Sequence, residues 1–238
     1  MKHEPPAPPV IEERDGLSYA LFMPDGAPKG GMVVLHGAGS AKESHFDFAR
    51  TCRARGVAAL CFDARGHGRS TGEFGPSAVG DVLAMRDVLA KLVPAVGMRG
   101  SSMGGFLAIQ AASLEPSTAA VVAICPASAD LLARGIESGT LNDFRVDRGA
   151  TVAWLRTLDL TAAAASLGHA TALLLLHAQG DERVPYAVSE ELHTAAAQPK
   201  RLIVFPGGHH RSLQHDLEVQ NLSVRFAERA FGGGRERR

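Results

Sequence analysis

The chain has 238 residues, of which 45% are hydrophobic and 21% charged, and its 25 basic residues balance 25 acidic ones. A chain of this length buries roughly 70–75% of its unfolded surface, so its core needs no metal or disulfide for stability. The formal net charge of zero excludes a bulk field that attracts nucleic acid or anionic lipid. High apolar content without net charge also excludes a disordered chain.

The cysteines and the apolar runs indicate the cellular compartment of the protein. Cys52, Cys61 and Cys125 form no C-x-x-C pair, so they are expected to be free, mostly buried thiols of a reducing compartment. No apolar run approaches the roughly 20 residues that cross a membrane. Residues 1–9 are polar and proline-rich, unlike a signal peptide. The sequence therefore predicts a soluble, cytoplasmic protein with no nucleic-acid or membrane partner.

Short apolar runs alternate with helical repeats along the chain. Val10–Glu13 and Leu17–Met23 predict a hairpin around Asp15-Gly16. The strands predicted next are Met32–Leu35, Val57–Phe62, Ala95–Met98, Ala119–Cys125, Leu173–His177 and Leu202–Phe205. The predicted helices are Phe46–Arg55, Asp81–Val93, Met103–Leu114, Tyr186–Ala197 and Ser212–Phe231. Apolar strands that each lead into a helix indicate an α/β fold, with a mostly parallel sheet covered by helices on both faces.

One long segment, residues 126–169, breaks this alternation between two predicted strands. Its apolar residues, interleaved with arginines, predict a small, mostly helical insertion over the sheet. Phe144 and Trp154 within it are predicted to line a substrate pocket under the insertion. We predict a single domain over residues 1–238, with a flexible leader at 1–9 and a flexible tail at 232–238.

A G-x-S-x-G sequence, Gly100-Ser101-Ser102-Met103-Gly104, stands between a predicted strand and a predicted helix. In such a turn the serine has a strained backbone, and side chains two residues before and after it would collide with it. The turn lifts the hydroxyl to the helix N-terminus, where the dipole and free amides favour developing negative charge. Ser101 lacks the flanking glycines, so Ser102 is the candidate nucleophile.

A serine nucleophile needs a base, and the base needs an acid that orients it. Asp181 follows the predicted strand Leu173–His177, and the adjacent His209 and His210 follow Leu202–Phe205. Alone, an aspartate at a strand end is more often a helix cap, and a loop histidine is more often structural. In the order serine, aspartate, histidine they match the chain order of one of the folds that use this triad.

The sequence resembles the α/β-hydrolases from about Met32 to Phe231. The motifs that carry the resemblance are the three triad segments, His36-Gly37-Ala38-Gly39, and Asp63-Ala64-Arg65-Gly66-His67-Gly68-Arg69-Ser70. Within that superfamily the chain is similar to compact bacterial serine esterases, including the dienelactone-hydrolase-like and feruloyl-esterase-like groups. Relatives often carry a bulky residue after the His-Gly pair, where this chain has small ones, and that departure leaves the acyl preference open.

The resemblance implies further site residues. It implies an oxyanion hole formed by the backbone N–H groups of Met103 and Ala38. It favours His210 over His209 as the base, because relatives commonly place the base four residues after the proline that ends the last strand, here Pro206. A helix N-cap at Ser212 agrees with this choice, since the positive end of a helix favours a neutral imidazole.

The Asp63–Ser70 motif is expected to brace a loop near the site without taking part in the chemistry, and its His67 is expected to be structural. The histidines His209, His210 and His215 lack the spaced acidic or cysteine partners of a zinc site. We therefore predict no metal and no cofactor.

These residues predict hydrolysis of small carboxylic esters through an acyl-enzyme on a Ser-His-Asp triad, with a small-molecule ester as the partner. Acyl transfer or peptidase and amidase chemistry on the same triad is one alternative. A ligand-binding relative without turnover is another. A monomer and a homodimer both fit the sequence.

Overall fold

The structure is a computed structural model that describes residues 8–232. Its sheet has eight strands in the order β1-β2-β4-β3-β5-β6-β7-β8. The strands are β1 Val10–Arg14, β2 Leu17–Phe22, β3 Gly31–Leu35, β4 Ala58–Phe62, β5 Val96–Ser101, β6 Ala120–Ile124, β7 Ala172–Ala178 and β8 Lys200–Phe205. Residues 1–7 of the predicted leader and 233–238 of the predicted tail lie outside the described residues, and Gly232, the first residue of that tail, is the last residue of α8.

Eight helices connect or follow the strands within the described part of the chain. They are α1 Phe46–Ala54, α2 Ala78–Ala90, α3 Met103–Leu114, α4 Ala129–Glu137, α5 Arg148–Leu155, α6 Leu160–Ser166, α7 Ala187–Ala195 and α8 Leu217–Gly232. None of these helices has both the length and the apolar character that a membrane crossing requires.

The sheet begins antiparallel and continues parallel, as predicted. β1 pairs with β2 and β2 with β4 in antiparallel register. The pairs from β3 to β8 are parallel. Asp15 and Gly16, at the hairpin turn, have φ angles of 53° and 78°. Two positive φ angles are what a two-residue hairpin turn requires.

Helices cover both faces of the sheet, as predicted. Successive strand residues point to opposite faces. Val33 of β3 therefore joins the core under α2, α3 and α7, and Val34 joins the core under α1 and α8. Because both faces are buried, the central strands contain continuous apolar runs instead of alternating polar residues.

The segment between β6 and β7 is helical, as predicted. It holds α4, α5 and α6. α4 and α5 pack on each other, and α6 packs on α3 and α7. The segment therefore extends the layer of helices on one face of the sheet.

The last helix begins five residues later than predicted, at Leu217. Asp216 caps it, since its Oδ1 accepts from the Val219 N–H at 2.9 Å. The hydroxyl of Ser212 instead donates to the carbonyl of His209 at 2.8 Å within a turn. The predicted N-cap at Ser212 is wrong. No helix begins there, so the argument that a helix dipole favours His210 as the base does not apply.

Candidate active site

Ser102 occupies the sharp turn between β5 and α3. Its φ is +54° and its ψ −117°, a strained backbone for a residue with a side chain. Three backbone bonds hold the turn. The Ser102 N–H donates to the Ile124 carbonyl at 2.9 Å, and its carbonyl accepts from the N–H groups of Phe106 and Ala127 at 3.0 and 3.2 Å. The neighbouring strand and the new helix therefore fix the serine in place.

The two glycines of the motif are required by close backbone approach. A Cβ on Gly100 would lie 2.1 Å from the carbonyl oxygen of Gly104. A Cβ on Gly104 would lie 2.4 Å from the carbonyl oxygen of Leu35. The clash that excludes side chains is therefore with the first helical turn and with strand β3, rather than with the serine side chain.

Asp181 and His210 are brought together at the carboxyl ends of β7 and β8. The imidazole Nδ1 lies 2.8 Å from Asp181 Oδ2. The Asp181 side chain is fully buried and that of His210 is 8% exposed. His209 is exposed, and its Nδ1 accepts from the Arg211 N–H at 3.3 Å. Of the two adjacent histidines, the structure thus pairs His210 with the aspartate.

The Asp181 carboxylate is strongly held in its ionised form. Burial raises its pKa, but the nearby His177 ring and hydrogen bonds from His210 and the backbone N–H groups of Val184 and Arg183 outweigh burial. The net result is a pKa well below the usual range of an aspartate. The group that bonds to the His210 imidazole is therefore an ionised carboxylate at neutral pH.

Two neighbours of Asp181 were not anticipated from the sequence. His177, near the end of β7, is buried and hydrogen-bonds to Ser189 and to the Val184 carbonyl. Its Nε2 lies 3.5 Å from Asp181 Oδ2. Cys125, after β6, has a φ of +45°. Its Sγ, a carboxylate oxygen of Asp181 and a ring nitrogen of His210 lie within 4.8 Å of one another. Within the described part of the chain these three atoms form the one group with metal-ligand spacing, but its aspartate and histidine are already bonded to each other.

Ser102 and His210 face the same cavity, which has a volume of about 490 Å³. The hydrogen bonds of residues 8–232 do not include one between the Ser102 hydroxyl and the imidazole. Such bonds are often long in free enzymes and shorten when substrate binds. Because Nδ1 is bonded to Asp181, Nε2 is the nitrogen left to meet the serine.

Two backbone N–H groups near Ser102 are free to bind an oxyanion. Ala38 lines the cavity, and Met103 is the first residue of α3. Neither N–H has a hydrogen-bond partner among the described residues. Such amides are the usual donors to the negative oxygen of a tetrahedral intermediate.

The loop that carries Ala38 is tied to the Asp63–Ser70 motif. Asp63 is fully buried and accepts from the backbone N–H and the Nζ of Lys42, both at 2.7 Å. The same carboxylate accepts from the Arg69 N–H at 2.9 Å. His36 Nε2 accepts from the Ala64 N–H at 3.0 Å. These bonds join two loops at the carboxyl edge of the sheet and fix the position of the Ala38 amide.

Phe144 and Trp154 do not line the cavity, contrary to the prediction. The Phe144 ring stacks on His67 with centroids 4.3 Å apart, and Trp154 meets Phe74 at 6.1 Å. The two rings pack on the Asp63–Ser70 motif and the residues that follow it. The insertion instead reaches the cavity through α4 and the loop after it, with Leu131, Leu132, Gly135, Thr140 and Leu141.

His67 is a buried neutral base, and this has a consequence for stability. Burial lowers its pKa to about 3, from 6.5. Between those values the unfolded chain binds a proton that the folded chain does not, so stability falls as the pH drops below about 6.5. His67→Phe keeps the ring against Phe144 and removes this proton. We expect the slope of unfolding free energy against pH between about 4.5 and 6 to fall by about 1.4 kcal/mol per pH unit.

Chemical denaturation at several pH values measures this slope. His169→Phe, at an exposed histidine, is the control for loss of an imidazole. A slope in His67→Phe equal to that of the wild type would show that His67 takes up its proton in the folded protein.

Comparison with known proteins agrees with this architecture. Residues 26–132 match the model of the serine aminopeptidase family S33, a stretch that contains Ser102 but neither Asp181 nor His210. The chain is also similar to 2,6-dihydropseudooxynicotine hydrolase of Paenarthrobacter nicotinovorans. The alignment is 119 residues long, covers 45% of this chain and has 31% identity. The match spans 32% of that protein, about a third of its length.

Solved structures match nearly the whole chain. Est1E from Butyrivibrio proteoclasticus, in a structure with bound ferulic acid, superimposes with a TM-score of 0.71 at 23% identity, over 92% of this chain and 96% of its own. The esterase domain of a Rhodothermus marinus protein gives 0.73 at 21% identity, over 93% and 97%. The chain thus has the α/β-hydrolase fold, and the fold predicted from the sequence is confirmed.

Proposed function

We propose that this protein is a serine esterase that hydrolyses small carboxylic esters through an acyl-enzyme on Ser102. The observation that carries the proposal is the arrangement around one cavity. A serine in a strained turn faces it, and so does an imidazole whose other nitrogen is bonded to a buried carboxylate. The esterase neighbours in the structural comparison support the same assignment.

Each residue has one task in the proposed reaction. His210 Nε2 takes the proton of the Ser102 hydroxyl as its oxygen attacks the ester carbonyl. The N–H groups of Met103 and Ala38 stabilise the oxyanion, and Asp181 stabilises the imidazolium. His210 then gives its proton to the departing alcohol, which leaves the acyl group on Ser102. A water molecule, deprotonated by His210, releases the acid and restores the serine.

The size of the cavity supports a small substrate. A volume of about 490 Å³ is in the lower part of the usual range for small-molecule sites. Leu131, Leu132 and Leu141 provide an apolar wall for an acyl chain or an aryl group. Short and medium acyl chains therefore fit better than long lipids.

Amide hydrolysis is the second candidate, because the matching family model is that of a serine aminopeptidase. The same acyl-enzyme serves both reactions, which differ in the group that leaves.

The cytoplasmic location and the monomeric or homodimeric state stay predictions.

Labelling with a fluorophosphonate probe tests the proposal, combined with a panel of chromogenic esters of increasing acyl length and the matching anilides. We expect one probe per chain, mapped by mass spectrometry to Ser102, and faster turnover of esters than of anilides, with a maximum at short or medium chains. The heat-denatured protein is the control for nonspecific labelling. An unlabelled Ser102 with no turnover on either series would contradict an enzyme of this class, and a maximum at long-chain triglycerides would contradict the substrate size.

A further inference from the structure

One wall of the cavity is polar. We call it the polar wall; its members are Ser40, Ser44, Ser101, Gln214 and His215. The hydroxyl of Ser101 is buried and has no hydrogen-bond partner among residues 8–232. Buried hydroxyls are usually hydrogen-bonded, so Ser101 leaves an unused donor within the cavity wall, next to the nucleophile.

A buried arginine, Arg99, stands directly behind the polar wall. Arg99 and Ser101 are two residues apart on β5 and therefore point to the same face of the sheet. The guanidinium of Arg99 is fully buried, and its Nη2 donates to the Gln214 carbonyl at 2.9 Å. Its Nε and Nη1 have no partner within the described part of the chain. The buried guanidinium thus contacts Gln214, a residue of the cavity wall.

The charge of Arg99 is not neutralised at contact distance. No carboxylate of residues 8–232 lies within 4 Å of its nitrogens. Asp47 acts on it from farther away, but that carboxylate accepts from His215 Nδ1 at 2.9 Å and from Gln220 Nε2 at 2.7 Å. The ring of Phe48, 4.0 Å from the guanidinium carbon, contributes a cation–π contact.

Arg99 itself stays charged, and its histidine neighbour adds no second charge. Burial lowers the pKa of Arg99 to about 10, which leaves it charged at neutral pH. Burial and Arg99 together lower the pKa of His45 well below its usual range, so His45 adds no charge, and both of its ring nitrogens are unpartnered. An isolated buried cation is unfavourable unless an anion or hydrogen bonds compensate it.

The residues at the mouth of the cavity add to this field. Arg183 and Arg211 line it together with one carboxylate, Glu182. That carboxylate is already engaged, because it accepts from the His210 N–H at 3.0 Å and lies 3.8 Å from Arg183 Nε. Two arginines and one carboxylate leave one net positive charge among the residues that line the mouth, which the ionised Asp181 bonded to His210 partly offsets.

We propose that the polar wall binds an ionised carboxylate carried by the ester substrate, with Arg99 as the charge that compensates it. The donors that touch the carboxylate are the Ser101 hydroxyl and the N–H of the Gln214 amide that is not bonded to His215. The Ser44 hydroxyl is not available, because it donates to the Ala41 carbonyl at 2.7 Å. This inference rests on the proposed esterase function and narrows its substrates to esters that bear a second, ionised carboxyl group, such as monoesters of dicarboxylic acids.

Two matched pairs of esters test the inference. One pair is 4-nitrophenyl hydrogen adipate and its methyl ester, which places the carboxylate on the acyl side. The other is 4-acetoxybenzoate and its methyl ester, which places it on the alcohol side. In one of these pairs we expect the wild type to prefer the anionic ester by about tenfold or more in kcat/KM, mainly through KM, as loss of a charge-assisted contact implies.

Three variants examine the role of Arg99. Arg99→Met is expected to lower the ratio of anionic to neutral kcat/KM by about tenfold, and Arg99→Lys to recover part of it. Arg86→Met is the control, since that arginine lies on α2, on the opposite face of the sheet from Arg99, and bonds to Ser117 and Asp87. If Arg99→Met does not fold, Ser101→Ala is used in its place and the same ratio of kcat/KM values is measured. A second measurement compares competitive inhibition of the wild type by adipate, which is charged, with inhibition by adipamide, which is neutral.

The outcomes separate this inference from the proposed function. A wild type that hydrolyses both members of each pair equally overturns the carboxylate site and leaves the esterase intact. Preference for the anion that survives in Arg99→Met and in Ser101→Ala also overturns it. Absence of turnover on all four esters, with Ser102 unlabelled by the fluorophosphonate, overturns the esterase itself.

Discussion

Ser102→Ala is expected to lower kcat/KM for chromogenic esters by at least about a thousandfold, the scale seen when a triad nucleophile is removed. The hydroxyl oxygen is the atom that bonds to the acyl carbon, and no other group of the cavity wall replaces it in the proposed reaction. The backbone bonds of residue 102 to Ile124, Phe106 and Ala127 do not involve the side chain. The variant should therefore fold normally and lose fluorophosphonate labelling.

Two serine variants show whether the effect is specific to this position. Ser113→Ala, on the helix α3 that follows Ser102, removes a hydroxyl that bonds only to the Gln110 carbonyl and should keep wild-type rates. Ser101→Ala alters the cavity wall but keeps the nucleophile, so its loss on neutral esters should stay within about tenfold. Steady-state kinetics, with thermal unfolding to check the fold, make the comparison. Wild-type turnover by Ser102→Ala would remove this serine from the mechanism.

Much of the fold could be predicted because local pattern and tertiary environment agree. The predicted helix Met103–Leu114 has the bounds of α3, since the strand–turn–helix motif fixes its start. The hairpin at Asp15 and Gly16 was also predictable, because few sequences other than Asp-Gly or Asn-Gly adopt that turn readily. In both places short-range chemistry alone determines the backbone.

The start of α8 could not be predicted from local pattern. Ser212 is a good N-cap by type, but its hydroxyl bonds to the backbone of His209, and Asp216 caps the helix instead. Both residues are acceptable caps, and the sequence does not contain the turn geometry that decides between them. The three-dimensional path of the chain after Pro206 determines which of the two residues caps the helix.

The pocket residues were mispredicted for a related reason. Large aromatic side chains in an insertion are equally suited to a substrate wall and to packing beneath it. His67 and Phe74 offered aromatic partners to Phe144 and Trp154, and burial against them removed both rings from the cavity. Each of these two aromatic pairs joins residues some eighty positions apart in the sequence, so no local pattern indicates the contact. The position of Arg99 behind the polar wall also leaves no local pattern in the sequence.

The largest contrast expected between neighbouring residues concerns the two adjacent histidines. His210→Ala should lower kcat for esters by several orders of magnitude, on the scale of about 10⁴ or more. His209→Ala should lower it by about tenfold at most. The physical reason is that one imidazole reaches Asp181, at 2.8 Å, while the other is exposed and bonds only along its own turn. The backbone N–H and carbonyl of residue 209, which bond to Ser212, survive substitution by alanine.

Rate measurements across pH show whether the lost group acts as the base. Hydrogen bonds hold the pKa of Asp181 well below its usual range, so Asp181 stays ionised from about pH 5 to 8 and adds no inflection there. Residual hydrolysis by His210→Ala should therefore rise with hydroxide concentration and show no plateau, whereas His209→Ala keeps the wild-type profile. If His209→Ala instead loses the larger factor and the plateau, His209 takes the role of base. The bond between His210 and Asp181 is then a structural one.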